Sequence, residues 1–309
     1  MDRLQIRLFG GFEVHAGQNR LPSFATEKSK SLFAFLVLNR DRLFHRDVLC
    51  GRFWGDQPDS NARRALRTAL WRIRSVVEPQ DCLRGSFLRV EGQQVGFPGT
   101  GDAWVDANEF TRRISSADAH GRGGLTPEDA RSLADAVILY RGDLLEGLYD
   151  DWCLVDRERL RMALLTALER LVSYHREREE WLDAIDWGRQ LLREDPLREH
   201  IHRAVMECHM AMGDRPSALR QYASCAQVLR EELDLDPMEE TTRLYRRVRA
   251  SSTRRSQLLG EGLPTQKGRT AVRGLVGEVE DALEVVYGLA ERLERTRSAL
   301  TSGEGGPPD

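Results

Sequence analysis

Between Ser60 and Val77 the chain reads SNARRALRTALWRIRSVV, a stretch that only a narrow set of folds can use. At about 100° per residue, Ala62, Ala65, Leu66, Ala69, Leu70, Ile73, Val76 and Val77 share one side of a helix. Arg63, Arg64, Arg67, Thr68, Trp71, Arg72, Arg74 and Ser75 share the other, and no acid interrupts them. The i,i+4 pairs of a solvated helix are therefore missing from that side. The apolar side must pack into a domain, and the guanidinium side repels itself until an anion neutralises it. A nucleic-acid backbone is the commonest such partner. The rival reading is an Arg-rich helix that serves solubility alone.

The net charge of −3 hides an asymmetry that supports the first reading. Residues 1–98 carry 16 Lys/Arg against 10 Asp/Glu, and the remainder 30 against 39. A basic head on an acidic body separates an anion-binding task from a second one. At 309 residues two or three domains are expected, by the usual range of about 100–200 residues each. The five cysteines (Cys50, Cys82, Cys153, Cys208, Cys225) are scattered and form no CxxC, which argues against a disulfide framework or zinc ribbon and suits a reducing cytoplasm. Arg3 and Arg7 interrupt any signal-peptide core, and no window reaches the roughly 18 apolar residues of a membrane span. A soluble, cytoplasmic, nucleoid-associated protein is expected, with no membrane partner.

Period-2 alternation at Leu4, Ile6 and Leu8 predicts a strand, followed by a turn at Gly10-Gly11, a second strand over Phe12–His15 and another turn at Gly17-Gln18-Asn19. A helix begins after Thr26 with Leu32, Phe33, Leu36 and Val37 as its apolar face. A shorter one covers Arg46–Trp54, with Val48, Leu49, Phe53 and Trp54 turned inward. Ser60 is the expected N-cap of the Arg-rich helix. Phe87–Phe97 reads as a hairpin turning near Gly92. Strands, three helices and a hairpin make a winged helix-turn-helix over residues 1–98, in which the third helix enters the major groove and the hairpin follows the backbone.

Beyond a loop at 98–102 the pattern becomes helical. Thr126-Pro127-Glu128-Asp129 supplies an N-cap, a proline at N1 and an acid at N3, and Asp195-Pro196 and Asp236-Pro237 (with Glu239) repeat the signal. Trp181-x-x-Ala184-Ile185 recurs 34 positions later as Ala218-Leu219, after a turn at Gly213-Asp214. That is the tetratricopeptide period, in which helix pairs bury each other's apolar faces. The fold expected is mainly α with a small β component: the winged helix, an all-α tetratricopeptide-like domain over 103–248, a linker over 251–271 and a C-terminal amphipathic helix over 272–300. Residues 301–309 form a disordered tail. Val272, Val279, Val286, Leu293 and Leu300 keep a seven-residue spacing with Leu275, Ala282 and Leu289 beside them. Val276, Leu283 and Ala290 widen the stripe, so this helix either pairs with a second subunit or folds back on the body.

In this order the pieces resemble the SARP-type regulators, antibiotic-pathway activators that join an OmpR-like winged helix to a bacterial transcriptional activator domain (BTAD). The residues carrying the resemblance are RLFGGFEV (Arg7–Val14), LFHRDVLCGRFWGD (Leu43–Asp56), SNARRALRTALWRIRSVVEP (Ser60–Pro79), VDANEF (Val105–Phe110), YRGDLLEGLYDDW (Tyr140–Trp152) and the run from Asp195 to Pro237. It implies a sequence-specific activator that binds direct repeats near a promoter and recruits RNA polymerase. The resemblance does not reach 251–309, and a homodimer, on DNA or through 272–300, is a separate expectation. The resemblance maps the groove-reading helix onto Arg63–Ser75 and the wing onto Phe87–Phe97. One departure is Glu232-Leu233-Asp234, where the family often carries Glu-Leu-Gly, which removes a helix-ending glycine.

Arg67 and Trp71, one turn apart, are the expected base readers, Arg67 donating to a base edge and Trp71 packing on sugar or a thymine methyl. Contact with phosphate and sugar alone is the alternative. Arg63, Arg64, Arg72 and Arg74 are expected backbone clamps, with Thr68 and Ser75 on the same face. Arg46, Asn61 and Arg89 add phosphate contacts from the second helix, the turn and the wing, and Lys28 and Lys30 could join them from the first helix. His200, His202 and His209 lack metal-ligand spacing, Asp150-Asp151 reads as a helix cap, and no catalytic constellation appears. No metal, cofactor or enzymatic activity is expected. Two rival functions stand beside the activator: a helical-repeat scaffold binding an acidic protein, and a ligand-gated repressor with the same head.

Overall fold

A computed structural model of the chain describes residues 4–40, 42–78, 86–97, 103–118 and 124–259, with side chains as far as residue 250. Residues as far as Val248 form one compact unit, and Arg249 onward forms a second. The loop at 98–102 and the expected amphipathic helix and tail lie wholly or mostly outside the described residues.

Strands β1 (Leu4–Arg7), β2 (Glu13–Ala16) and β3 (Asn19–Arg20) form the expected meander. The helices of the head are α1 (Glu27–Leu38), α2 (Arg46–Trp54) and α3 (Asp59–Val77). Between the first two lies a short strand, β4 (Leu43–His45), that the sequence pattern does not announce. The hairpin is β5 (Arg89–Glu91) and β6 (Gln94–Gly96), with Gly92 at φ +56° in its turn, where a side chain would be strained. The second sheet runs β4-β6-β5, so the wing is rooted beside the start of α2. The mainly helical architecture with a small winged-helix β component is therefore present.

Three details differ from expectation. Ser60 lies inside α3, whose N-cap position is Pro58; the Pro58 carbonyl accepts from the amides of Asn61 and Ala62, and Asp59 opens the helix. Val48 is 52% exposed, because α2 is short and its buried face is narrowed to Leu49, Cys50, Phe53 and Trp54. Helix α1 is buried on more than its predicted face, including Ser29, Ser31, Ala34 and Phe35. It is wedged between Phe12, Phe24 and Phe97 on one flank and Phe53 and Trp152 on the other.

The head does not end as a separate body. Strand β7 (Ala103–Val105) pairs in parallel with β1 and completes the sheet order β3-β2-β1-β7. The next residue, Asp106, opens α4 (Asp106–Asp118) and is 1% exposed. Its carboxylate accepts from the amides of Leu8 (2.8 Å), Phe9 (3.1 Å) and Ala107 (2.7 Å). Phe9 then packs against Phe110 and Tyr140, and Gly10 donates to the Asp143 carbonyl.

The rest of the compact unit is a stack of helices: α5 (Pro127–Leu139), α6 (Asp151–Glu177), α7 (Trp181–Glu194), α8 (Glu199–Ala211), α9 (Arg215–Leu233) and the first part of α10 (Glu239–Leu259). Thr126 and Asp129 form the capping box that the sequence spells out. Helices α7 and α9 begin 34 positions apart, as the repeat requires. A Cβ on Gly188 would lie 2.6 Å from Val205 Cγ2, so α7 approaches α8 too closely for any side chain there. The two other predicted starts shift. Asp195 ends α7 and pairs with Arg198, and Asp236 pairs with Arg230, because each sits in the preceding turn rather than at a helix start. Helix α10 runs on to Leu259, so residues 251–259 are helical where a linker was expected; Ser251–Leu259 contains neither Gly nor Pro to stop it.

The missing glycine at Asp234 leaves the turn intact. Asp234 adopts φ +55°, and the Leu235 amide donates to Leu229 O in a left-handed helix end. A residue with a Cβ in that region is strained by about 1 kcal/mol. We predict that Asp234→Gly stabilises the fold by about 0.5–1 kcal/mol, read as a raised denaturant midpoint with unchanged m-value.

His202 is buried at the α8–α9 contact, with Nε2–H facing the Pro196 carbonyl (3.0 Å) and Nδ1 accepting from Gln221 (2.7 Å). Burial holds its pKa below the ordinary value, and burial lowers that of His209 likewise. The unfolded chain thus binds protons that the folded one refuses. Stability should be at its plateau above the unfolded value of about 6.5 and fall as pH drops through it. Denaturation from pH 8 to 5 should show this slope, and His202→Gln should flatten it while lowering the plateau.

Candidate nucleic-acid interface

Helix α3 packs through Ala62, Leu66, Ala69, Leu70, Ile73 and Val77, the face read from its periodicity. Outward it presents Arg63, Arg64, Arg67, Thr68, Trp71 and Ser75, all exposed, with Arg72 partly so. Trp71 is 69% exposed, far beyond what an indole reaches when it serves a core. Arg64, Arg67 and Arg72 have no ion-pair partner among the described residues. Three guanidinium charges and an indole therefore stand free along one side of a helix whose other side is locked.

Two hollows flank this face. Arg63, Leu66 and Arg67 line one of about 370 Å³ with His45, Arg46, Asp47 and Gln93, joining the start of α2 and the wing turn to α3. The Arg46 amide donates to Gln93 O (2.8 Å), and its Nε is buried without a hydrogen-bond partner among the described residues. The other, of about 470 Å³, sets Asn61, Arg64, Thr68 and Arg72 opposite Thr26, Lys28 and Ser29 at the start of α1. Guanidinium groups gathered beside Lys28 at a helix start suit phosphate oxygens.

The other predicted residues are placed differently. Arg74 turns inward: its Nε meets Glu78 at 3.1 Å and its Nη2 donates to Leu88 O at 3.1 Å. Glu78, whose side chain is 1% exposed, also accepts from the amides of Phe87 and Leu88 (both 2.9 Å). This pair fastens the end of α3 to the wing, a role hidden from helical periodicity. The Thr68 and Ser75 hydroxyls donate to the carbonyls of Arg64 and Arg72 within the helix. Arg89 lies exposed on β5, paired with Glu91 at 2.6 Å. Lys28 pairs with Asp150 across the head–body junction, and Lys30 with Glu27. Asp150 makes no side-chain cap; its carboxylate accepts instead from Ser31 Oγ and Lys28.

Among the described residues, His175, partly buried, and the exposed Glu180 and Asp183 form one group with metal-ligand spacing, away from the three histidines considered from sequence. The four described cysteines are free and buried, and Cys82 lies outside the described residues. No described helix is long and apolar enough to cross a membrane.

The family described as Bacterial transcriptional activator domain matches residues 105–249, from the last residue of β7 into α10. Over that stretch, a little under half of its length, the chain is similar to this family. The regulatory protein AfsR of Streptomyces coelicolor is 25% identical over 221 residues, 72% of this chain and 22% of that protein. The transcriptional regulator RedD of the same organism is 27% identical over 68% of this chain and 60% of its own length. The transcriptional regulatory protein MoaR1 of Mycobacterium tuberculosis is 22% identical over 91% of this chain and 89% of its own. The chain thus spans about a quarter of AfsR but most of MoaR1. The structure of Mycobacterium tuberculosis EmbR in complex with a low-affinity phosphopeptide superposes with a TM-score of 0.65 at 20% identity, covering 91% of this chain and 72% of that one. These matches bear out the resemblance to SARP-type regulators carrying an activator domain, and the EmbR likeness bears out the fold.

The two classes of arginine on α3 are separable. We predict that Arg74→Ala lowers stability by about 2–3 kcal/mol by leaving Glu78 buried and half-paired. Thermal unfolding should show this drop, whereas Arg67→Ala leaves the melting temperature nearly unchanged.

Proposed function

We propose that the chain is a DNA-binding transcriptional activator. The head reads an operator through α3 in the major groove, the wing lies along the adjacent backbone, and the activator domain offers a surface to RNA polymerase. The observation that carries this reading is the outward face of α3, with three unpaired guanidinium groups and an exposed Trp71 on an otherwise packed helix. The names of the relatives, regulators rather than enzymes, favour the same class.

In this reading Arg64, Arg72, Arg46 and Asn61 hold phosphate, and Arg67 and Trp71 read bases. Two heads occupy direct repeats as a homodimer on DNA, each raising the local concentration of the other. The work is cytoplasmic, on nucleoid DNA. Phosphate contacts supply much of the affinity, so binding weakens steeply with salt.

Selection of bound duplexes from a random pool tests this for the wild type and Arg67→Ala. A repeated motif spaced by about one helical turn, with the variant losing preference at one position, is the expected result. Absence of any motif at low and moderate salt would overturn operator reading and favour a scaffold that binds an acidic protein.

A further inference from the structure

An acid stands against the basic face of α3. Asp47, in the first turn of α2, lines the hollow shared by Arg46, Arg63, Arg67 and the wing residue Gln93. Its Oδ1 accepts from Arg63 Nε (3.2 Å) and lies 3.1 Å from Arg63 Nη2, while its Oδ2 is 3.5 Å from His45 Nδ1. Both partners are more than half exposed, so the pair contributes little to stability. An acid in a first helical turn suits the helix dipole, which would account for Asp47 but not for its grip on the neighbouring helix.

The grip changes what Arg63 can do. Of the outward arginines on α3, Arg63 is paired, whereas Arg64, Arg67 and Arg72 have no ion-pair partner among the described residues. A paired guanidinium loses most of its pull on phosphate, because the carboxylate cancels its charge and repels the backbone. Its direction is fixed in exchange. With the Nε–Nη2 edge held by one carboxylate oxygen, the Nη1–Nη2 edge stays free. Two parallel N–H donors of this kind match the O6 and N7 acceptors of guanine.

We propose that Asp47 is a specificity-determining residue that acts through Arg63. It turns Arg63 from a backbone clamp into a guanine reader. Asp47 is thus a positioning residue rather than a contact of its own. The inference rests on the head reading DNA and adds a second base-reading arginine to Arg67.

The test compares full-length wild type, Arg63→Ala, Asp47→Ala and the double variant on the selected operator, on each single-base change of it and on a random duplex, across a salt series. Arg63→Ala should lose guanine preference at one position. Asp47→Ala should lower preference at that same position about tenfold, tighten binding to random duplex, and steepen the slope of log K against log salt by about 0.9. The double variant should lose no more preference than Arg63→Ala. If Asp47→Ala folds poorly, Asp47→Asn carries the same test, since it removes the charge and keeps an oxygen near Arg63. Base preference unchanged at every position in the Asp47 variant, or uniform weakening of all duplexes by Arg63→Ala, would overturn the inference while leaving the operator reading standing. A wild type that selects no motif would overturn both.

Discussion

The carboxylate of Asp106 joins the two halves of the compact unit, and much of the architecture follows from it. It takes three backbone amides at once, two of them from the strand end at Leu8 and Phe9, on the far side of the head from the sequence's point of view. Burial pushes its carboxyl pKa up, and the same three amides, with Arg141 at 3.9 Å, pull it back. An amide buried without an acceptor costs about 1–3 kcal/mol, so no apolar residue could replace this one cheaply. With Asp106 in place, β7 aligns on β1, Phe9 enters the space between Phe110 and Tyr140, and the 34-residue helix pairs are stacked from a fixed first layer.

A second junction fixes the other flank. Trp152, at the start of α6, packs its ring on Phe35 and donates its indole N–H to Ser31 Oγ (3.2 Å), and Ser31 in turn donates to Asp150. This explains why α1 is buried more fully than a three-helix head alone would bury it. The helical body supplies part of the head's core, and the basic face of α3 is presented from a platform that both halves build.

Legibility in the sequence tracked the range of the interactions. Alternation at Leu4, Ile6 and Leu8, the two-faced run from Ser60 to Val77 and the capping box at Thr126 are local signals, and each element stands where its pattern places it. The three-residue strands β4 and β7 are too short to carry a period, and their partners lie tens of residues away. Arg74 shared the polar side of the wheel with Arg67, yet its fate was set by Glu78, an acid that helical periodicity simply records as the end of the helix. The role of Asp47 is hidden from the sequence for a related reason. A single acid in a first turn looks like an ordinary dipole partner, and its partner on α3 becomes visible only once the two helices cross. In the body, Asp195 and Asp236 imitate helix starts because Asp-Pro suits a turn and an N-terminus equally well.

On the proposed reading, the doubly fastened junction also turns the duplex into a protractor. A head tied to its body through a shared sheet and a shared aromatic core would pass its own orientation on DNA to the rest of the compact unit. On the proposed reading, each base pair inserted between operator and promoter swings the activator domain about 35° around the duplex axis, given roughly 10–10.5 base pairs per turn. Five inserted pairs would carry it to the opposite side of the helix, and ten would bring it back. A loosely tethered domain would average over such rotations. On that reading, the angular phase of the operator is information that the protein preserves.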